Sequence, residues 1–267
     1  MDRTWQPTKS ARRSAALDFD LDSALFSTGS QDTTCAQFVP LHYEPGYAYP
    51  LLVWLHGSGN DERQLMRIMP MVSMRNFVAI APRGTCANSQ SQEAHPQQIA
   101  TEEVGYTWQQ SESHIQQAEH RVFDGIAMAQ EKFHIAARRI FLAGFGCGGT
   151  MAFRIAMNHP SRFAGVLSCC GPFPHGRTPF GNLAEARKLP VLLAVGRDSS
   201  EYPPDEVCEN LRLFHTAGLS VTLRQYPTGH ELSPQMLADV DRWIIEQMTS
   251  GGHCDGRSNP RKPFEVD

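Results

Sequence analysis

The arrangement with the clearest chemical meaning is Gly144-Phe145-Gly146-Cys147-Gly148-Gly149-Thr150, set between the apolar run Arg139 to Ala143 and a helical pattern over Met151 to Asn158. Glycines on both sides of a sharp strand-to-helix turn are what a nucleophile elbow for acyl transfer requires. The central residue is strained, and its neighbours must be small for close packing. In the order glycine, any residue, nucleophile, any residue, glycine, Gly144 is first, Gly148 last, and Gly146 stands where the nucleophile belongs. Glycine has no side chain to attack with. Cys147 follows it at the helix start, and thiols in that setting are favoured as thiolates, which are strong nucleophiles. Successive side chains of a tight turn diverge, however, so Cys147 serves only if the turn is reset by one residue. A second glycine-rich turn, His56-Gly57-Ser58-Gly59-Asn60, follows Leu51 to Leu55 and offers a backbone N–H to a developing oxyanion.

The elements that must position these turns are legible as an alternation. Leu51 to Leu55, Phe77 to Ala81, Arg139 to Ala143, Gly165 to Ser168, Val191 to Val195 and Val221 to Tyr226 are short apolar runs, as expected of strands covered on both faces. Between them lie stripes of helical period: Ile115, Ala118, Val122, Ile126 and Ala129; Met151, Ile155 and Ala156; Val207, Leu211 and Phe214; Leu237, Val240, Ile244 and Met248. Ser233 is placed to cap the last helix, with Pro234 at its first position. The alternation predicts an α/β fold, a doubly wound and mainly parallel sheet in a single domain over residues 35–248. A polar segment, residues 1–34, precedes it and a loose tail, residues 249–267, follows. In such a sheet the sites form at the C-terminal strand ends, where both glycine turns lie.

From His56 to about Met248 the chain resembles the carboxylesterase, phospholipase and acyl-protein-thioesterase branch of the α/β-hydrolases. The likeness rests on His56-Gly57-Ser58-Gly59 and on Arg139-Ile140-Phe141-Leu142-Ala143-Gly144-Phe145-Gly146-Cys147-Gly148-Gly149. The family has serine and glutamine where this chain has Gly146 and Cys147. The resemblance implies a general base at His230, in Gly229-His230-Glu231 after the last strand, and an acid in the loop Gly196-Arg197-Asp198-Ser199-Ser200. Asp198 is the expected acid, although the family places its aspartate three residues after the glycine and Asp198 is two after it. Glu201 and Asp205 are less favoured substitutes. The N–H groups of Ser58 and Cys147 are expected to form the oxyanion hole, with Gly57 and Gly148 shaping it and Trp108 walling an acyl pocket.

Three functions are compatible with an elbow that lacks serine: an ester-binding hydrolase whose serine chemistry is lost or strongly reduced, a thiol hydrolase using Cys147 with His230, or a non-catalytic ligand-binding or scaffold protein in the same pocket. The expected ligand is a small-molecule carboxylic ester, thioester or acyl compound. With 24 basic and 28 acidic side chains among 267 residues, no basic surface for nucleic acid is implied. No apolar run reaches the roughly 20 residues of a membrane span, and seven cysteines without paired spacing fit a reducing compartment, so the expected location is the cytoplasm. No cofactor or metal motif occurs in the sequence. Cys169 and Cys170 read as buried thiols, and the oligomeric state is not legible.

Overall fold

The computed structural model describes residues 34–88, 105–176 and 181–250; the proposed N-terminal segment and tail lie almost wholly outside them. In chain order the elements are β1 (Cys35–Phe38), β2 (Tyr49–Leu55), α1 (Gln64–Val72), β3 (Val78–Pro82), β4 (Cys86–Ala87), β5 (Tyr106–Thr107), α2 (Glu112–Lys132), β6 (Ile135–Phe145), α3 (Cys147–Asn158), β7 (Gly165–Cys169), α4 (Leu183–Ala186), β8 (Val191–Gly196), α5 (Pro204–Ala217), β9 (Val221–Tyr226) and α6 (Pro234–Ser250). The central sheet has seven strands in the order β1-β3-β2-β6-β7-β8-β9. All its pairings are parallel except that of β1 with β3.

Strand residues divide strictly between two apolar layers, because successive side chains of a strand point to opposite faces. Leu51, Val53 and Leu55 of β2, with Ile140 and Leu142 of β6, face α2, α3 and α5. Leu52 and Trp54 of β2, with Phe141 and Ala143 of β6, face α1 and α6. Both faces are therefore dry, which is why these strands read as unbroken apolar runs. The six anticipated strands all occur, with ends shifted by a few residues. Two features had no counterpart in the sequence reading: the antiparallel edge strand β1, and a two-stranded ribbon of β4 and β5 joined to Asn60 through a bridge at Tyr106. Among the described residues no helix is long and apolar enough to cross a membrane.

The final helix starts as anticipated. The hydroxyl of Ser233 accepts the Met236 N–H at 3.1 Å, and Leu237, Val240 and Ile244 are buried against the sheet. Ser233→Ala is expected to cost about 1 kcal/mol of stability, read as a lowered urea midpoint with unchanged slope. No shift in that midpoint would mean the cap contributes nothing.

Candidate functional site

The elbow forms where β6 ends and α3 begins. Gly146 adopts φ 53° and ψ −121°, a conformation that costs residues with a Cβ about 1–3 kcal/mol. Its N–H donates to Cys169 O at 2.9 Å, and its carbonyl accepts from Thr150 N–H at 3.0 Å, so the turn is fixed from both sides. Gly148 sits in the first turn of α3, where a Cβ would collide with the carbonyl oxygens of Leu55 and His56 at the end of β2. This close approach brings the elbow and the glycine loop into backbone contact. A Cβ on Gly57 would strike the Phe145 ring at 2.5 Å, so the loop itself lies against the elbow.

The loop is held from behind. His56 is fully buried; its Nδ1 lies 2.8 Å from Gly57 O and its Nε2 accepts the Gly84 N–H at 2.9 Å. That pairing requires a neutral ring carrying its proton on Nδ1. Trp108 was expected to wall an acyl pocket. It is instead 2% exposed and donates its indole N–H to His56 O at 3.0 Å, so it anchors the loop. The β5 strand does the same through Gly59 N–H to Tyr106 O at 3.0 Å. The segment Gly171 to His175 likewise supplies packing: Phe173 is buried between Phe153 and Phe214.

Burial holds the pKa of His56 below its ordinary 6.5. As pH falls through that value, the unfolded chain takes up a proton that the folded chain refuses. The stability contributed by the neutral ring is therefore complete above pH 6.5 and is lost below it, by at most about 1.4 kcal/mol per pH unit. The urea midpoint is expected to drop between about pH 7.5 and about pH 5.5; a flat or rising midpoint would mean that His56 is not held neutral.

His230 follows β9 and faces the elbow. A Cβ built on Gly146 would stand 3.2 Å from His230 Nε2, and the ring lies 5.1 Å from that of Phe145. Asp198, the expected acid, does not reach this ring: its side chain is 61% exposed and pairs with Arg197. The turn after β8 directs the next residue inward instead. Ser199 is 4% exposed, and its hydroxyl lies 3.2 Å from His230 Nδ1 while accepting the Tyr202 N–H at 3.1 Å. Ser199 is three residues after Gly196, so the offset that made Asp198 a poor match pointed to it. Glu201, a less favoured substitute for the acid, contacts the opposite nitrogen, with Oε2 at 3.2 Å from Nε2. Asp205 lies in the first turn of α5.

Cys147 does not share this arrangement. Its sulfur accepts from Thr107 Oγ1 at 3.5 Å and packs on the α2–α3 layer, whereas Phe145 beside His230 packs on the α1–α6 layer. The two residues flanking Gly146 thus diverge to opposite faces of the sheet. The thiols of Cys35, Cys169 and Cys170 are buried, and burial pushes all three up, to about 12 for Cys35. Cys169 and Cys170 are buried as expected, whereas Cys86 is half-buried and Cys208 exposed.

A parallel sheet covered on both faces, with a glycine elbow after one strand and a histidine loop after the last, defines an α/β-hydrolase. The chain belongs to the Phospholipase/Carboxylesterase family, which it matches over residues 45–247. Its fold is shared by the carboxylesterase of Mesorhizobium loti, 17% identical over 83% of this chain and 97% of that chain, with a TM-score of 0.64. A Bacillus cereus carboxylesterase is 15% identical over 82% and 96% of the two chains, with a TM-score of 0.62. Arabidopsis thaliana SOBER1 is 19% identical over 75% and 100%, with a TM-score of 0.61.

Proposed function

We propose that this protein keeps the acyl- or ester-binding pocket of its family while lacking serine-nucleophile chemistry. The observation that carries this reading is the direction of the absent side chain at residue 146, which aims at His230 Nε2 from 3.2 Å. The seat faces the histidine and presents only a backbone. A second replacement supports it. The group on His230 Nδ1 is the Ser199 hydroxyl, which cannot stabilise an imidazolium as a carboxylate does.

What remains can bind and polarise. The N–H of Cys147 opens α3 and has no partner within the helix, and the helix dipole favours negative charge at that end. With the Ser58 N–H from the adjoining loop, it forms the expected oxyanion hole for an acyl oxygen. Sites stripped of triad members retain about 10³–10⁴-fold over water through such donors. A thiol mechanism is disfavoured because Cys147 packs on the opposite layer from Phe145, whose ring contacts His230.

Chromogenic acyl esters test the reading. Wild-type turnover is expected to stay within that residual range and to be unchanged in Cys147→Ala. Efficient turnover lost in Cys147→Ala would establish the thiol mechanism, and efficient turnover lost in His230→Ala would establish a catalytic histidine; either outcome overturns the proposal.

A further inference from the structure

We propose that Arg83 is a positioning residue for the glycine loop, holding it from both ends so that the Ser58 N–H stays aimed. This deepens the functional reading above and rests on it, since the Ser58 N–H is there a donor to the acyl oxygen. The loop from His56 to Asn60 has two glycines among its five residues, and such a segment keeps one conformation only if something outside it does the holding. Arg83 directly follows β3 and reaches the first end of the loop through its main chain. The next N–H, that of Gly84, donates to His56 Nε2 at 2.9 Å. A Cβ on Gly84 would stand 2.8 Å from Thr107 O and 3.0 Å from His56 Cε1, so this peptide is wedged between the ribbon and the loop. Arg121 of α2 secures the wedge, its Nη1 donating to Arg83 O at 2.9 Å and to Gly84 O at 2.7 Å.

The far end of the loop is reached through the Arg83 side chain. The guanidinium lies over the Tyr106 ring, 4.7 Å from its centroid, and Nη1 donates to the Tyr106 hydroxyl at 3.4 Å. The Tyr106 backbone in turn accepts the Gly59 N–H at 3.0 Å and donates to Asn60 O at 2.7 Å. Glu62, two residues beyond Asn60, closes the circuit. Its buried carboxylate accepts from Arg83 Nε at 2.8 Å and from Nη2 at 2.6 Å. Using the donor fork and the flat face together is specific to arginine; lysine carries the charge but neither the paired donors nor the plane. Ser58 therefore sits inside a closed ring of contacts that runs from Glu62 to Arg83, Gly84 and His56 and back along the loop. Arg83 is the residue at which its main-chain and side-chain links meet.

Amide hydrogen exchange on the full chain, read by NMR at Gly59, tests this beside the residual turnover of p-nitrophenyl butyrate. In Arg83→Lys the Gly59 amide is expected to exchange about tenfold or more faster, while the amides of β7 and β8 keep their wild-type rates. The residual kcat is expected to fall about tenfold at unchanged KM, because a misaimed donor is missed chiefly in the transition state. Tyr106→Leu removes the ring under the guanidinium and leaves Glu62 paired with Arg83. It is expected to quicken exchange at Gly59 while the Gly84 amide stays slow. Unchanged Gly59 exchange in both variants would overturn the inference. Exchange quickened equally in the loop and in β7 and β8 would also overturn it, because Arg83 would then support only overall stability. A turnover loss carried by KM alone would do the same. Efficient wild-type turnover that depends on Cys147 or His230 would instead sink the functional reading, and exchange at Gly59, measured without ligand, separates the two failures.

Discussion

Gly146→Ser combined with Ser199→Asp is expected to convert the protein into a serine esterase, with turnover of activated acyl esters raised at least about 10³-fold over wild type. The serine Cβ would lie 3.2 Å from His230 Nε2, a close contact that the ring relieves by moving a few tenths of an ångström. The aspartate would accept the Tyr202 N–H that Ser199 now accepts and would require a proton on His230 Nδ1, leaving the Nε2 lone pair to the new hydroxyl. Neither change suffices alone. With Ser199 retained, nothing negative stabilises the imidazolium, and loss of that carboxylate costs a serine triad about 10⁴ in turnover. With Gly146 retained, no nucleophile exists. The two effects are therefore strongly non-additive, and additive rate gains in the two single variants would contradict the assignment. Gly146→Ser should also lower stability by about 1–3 kcal/mol, because serine must adopt the positive φ that glycine adopts freely.

Gly148→Ala is expected to be the most damaging small substitution at the site, lowering stability by about 3 kcal/mol or more and the melting temperature by roughly 6–12 °C. The added methyl would meet the carbonyl oxygens of Leu55 and His56. These are backbone atoms at the end of a central strand, where Leu55 pairs with Gly144, so relief requires separating α3 from the sheet. Gly46→Ala, where a Cβ meets nothing within 4 Å, is the control and should shift stability by no more than about 0.5 kcal/mol. Equal effects at the two positions would mean that the elbow is looser than its geometry implies.

The parts of the site legible in the sequence are those that backbone geometry dictates. Gly144, Gly146 and Gly148 mark the elbow because a left-handed turn and two close backbone approaches leave few other residues possible. Strands β2, β3, β7 and β8 and the inner half of β6 were legible because both their faces are dry; β9, expected to be covered on both faces, is instead exposed at Thr222, Leu223 and Gln225, as the outermost strand of the sheet. Strand β1 was not, since Cys35-Ala36-Gln37-Phe38 is short and carries a glutamine. Which member of the β8 loop reaches His230 was marked in the sequence only by the three-residue offset from Gly196 to Ser199, against the residue type expected of an acid. Asp198 and Ser199 are neighbours whose side chains diverge in a tight turn, and the approach of β9 decides which one matters. Trp108 reads as a pocket wall from its apolar ring; its indole N–H, which finds His56 O only in the fold, makes it an anchor. The seat at residue 146 and the side of the sheet taken by Cys147 follow from one local rule, the divergence of successive side chains around the elbow.

The intact mass of the wild-type protein after incubation with an alkyl fluorophosphonate tests the central claim most directly. No mass increment is expected for wild type, and a single increment mapping to residue 146 is expected for the Gly146→Ser, Ser199→Asp double variant. A stoichiometric adduct on the wild-type chain would contradict the account, because it would reveal a competent nucleophile that the glycine elbow does not provide.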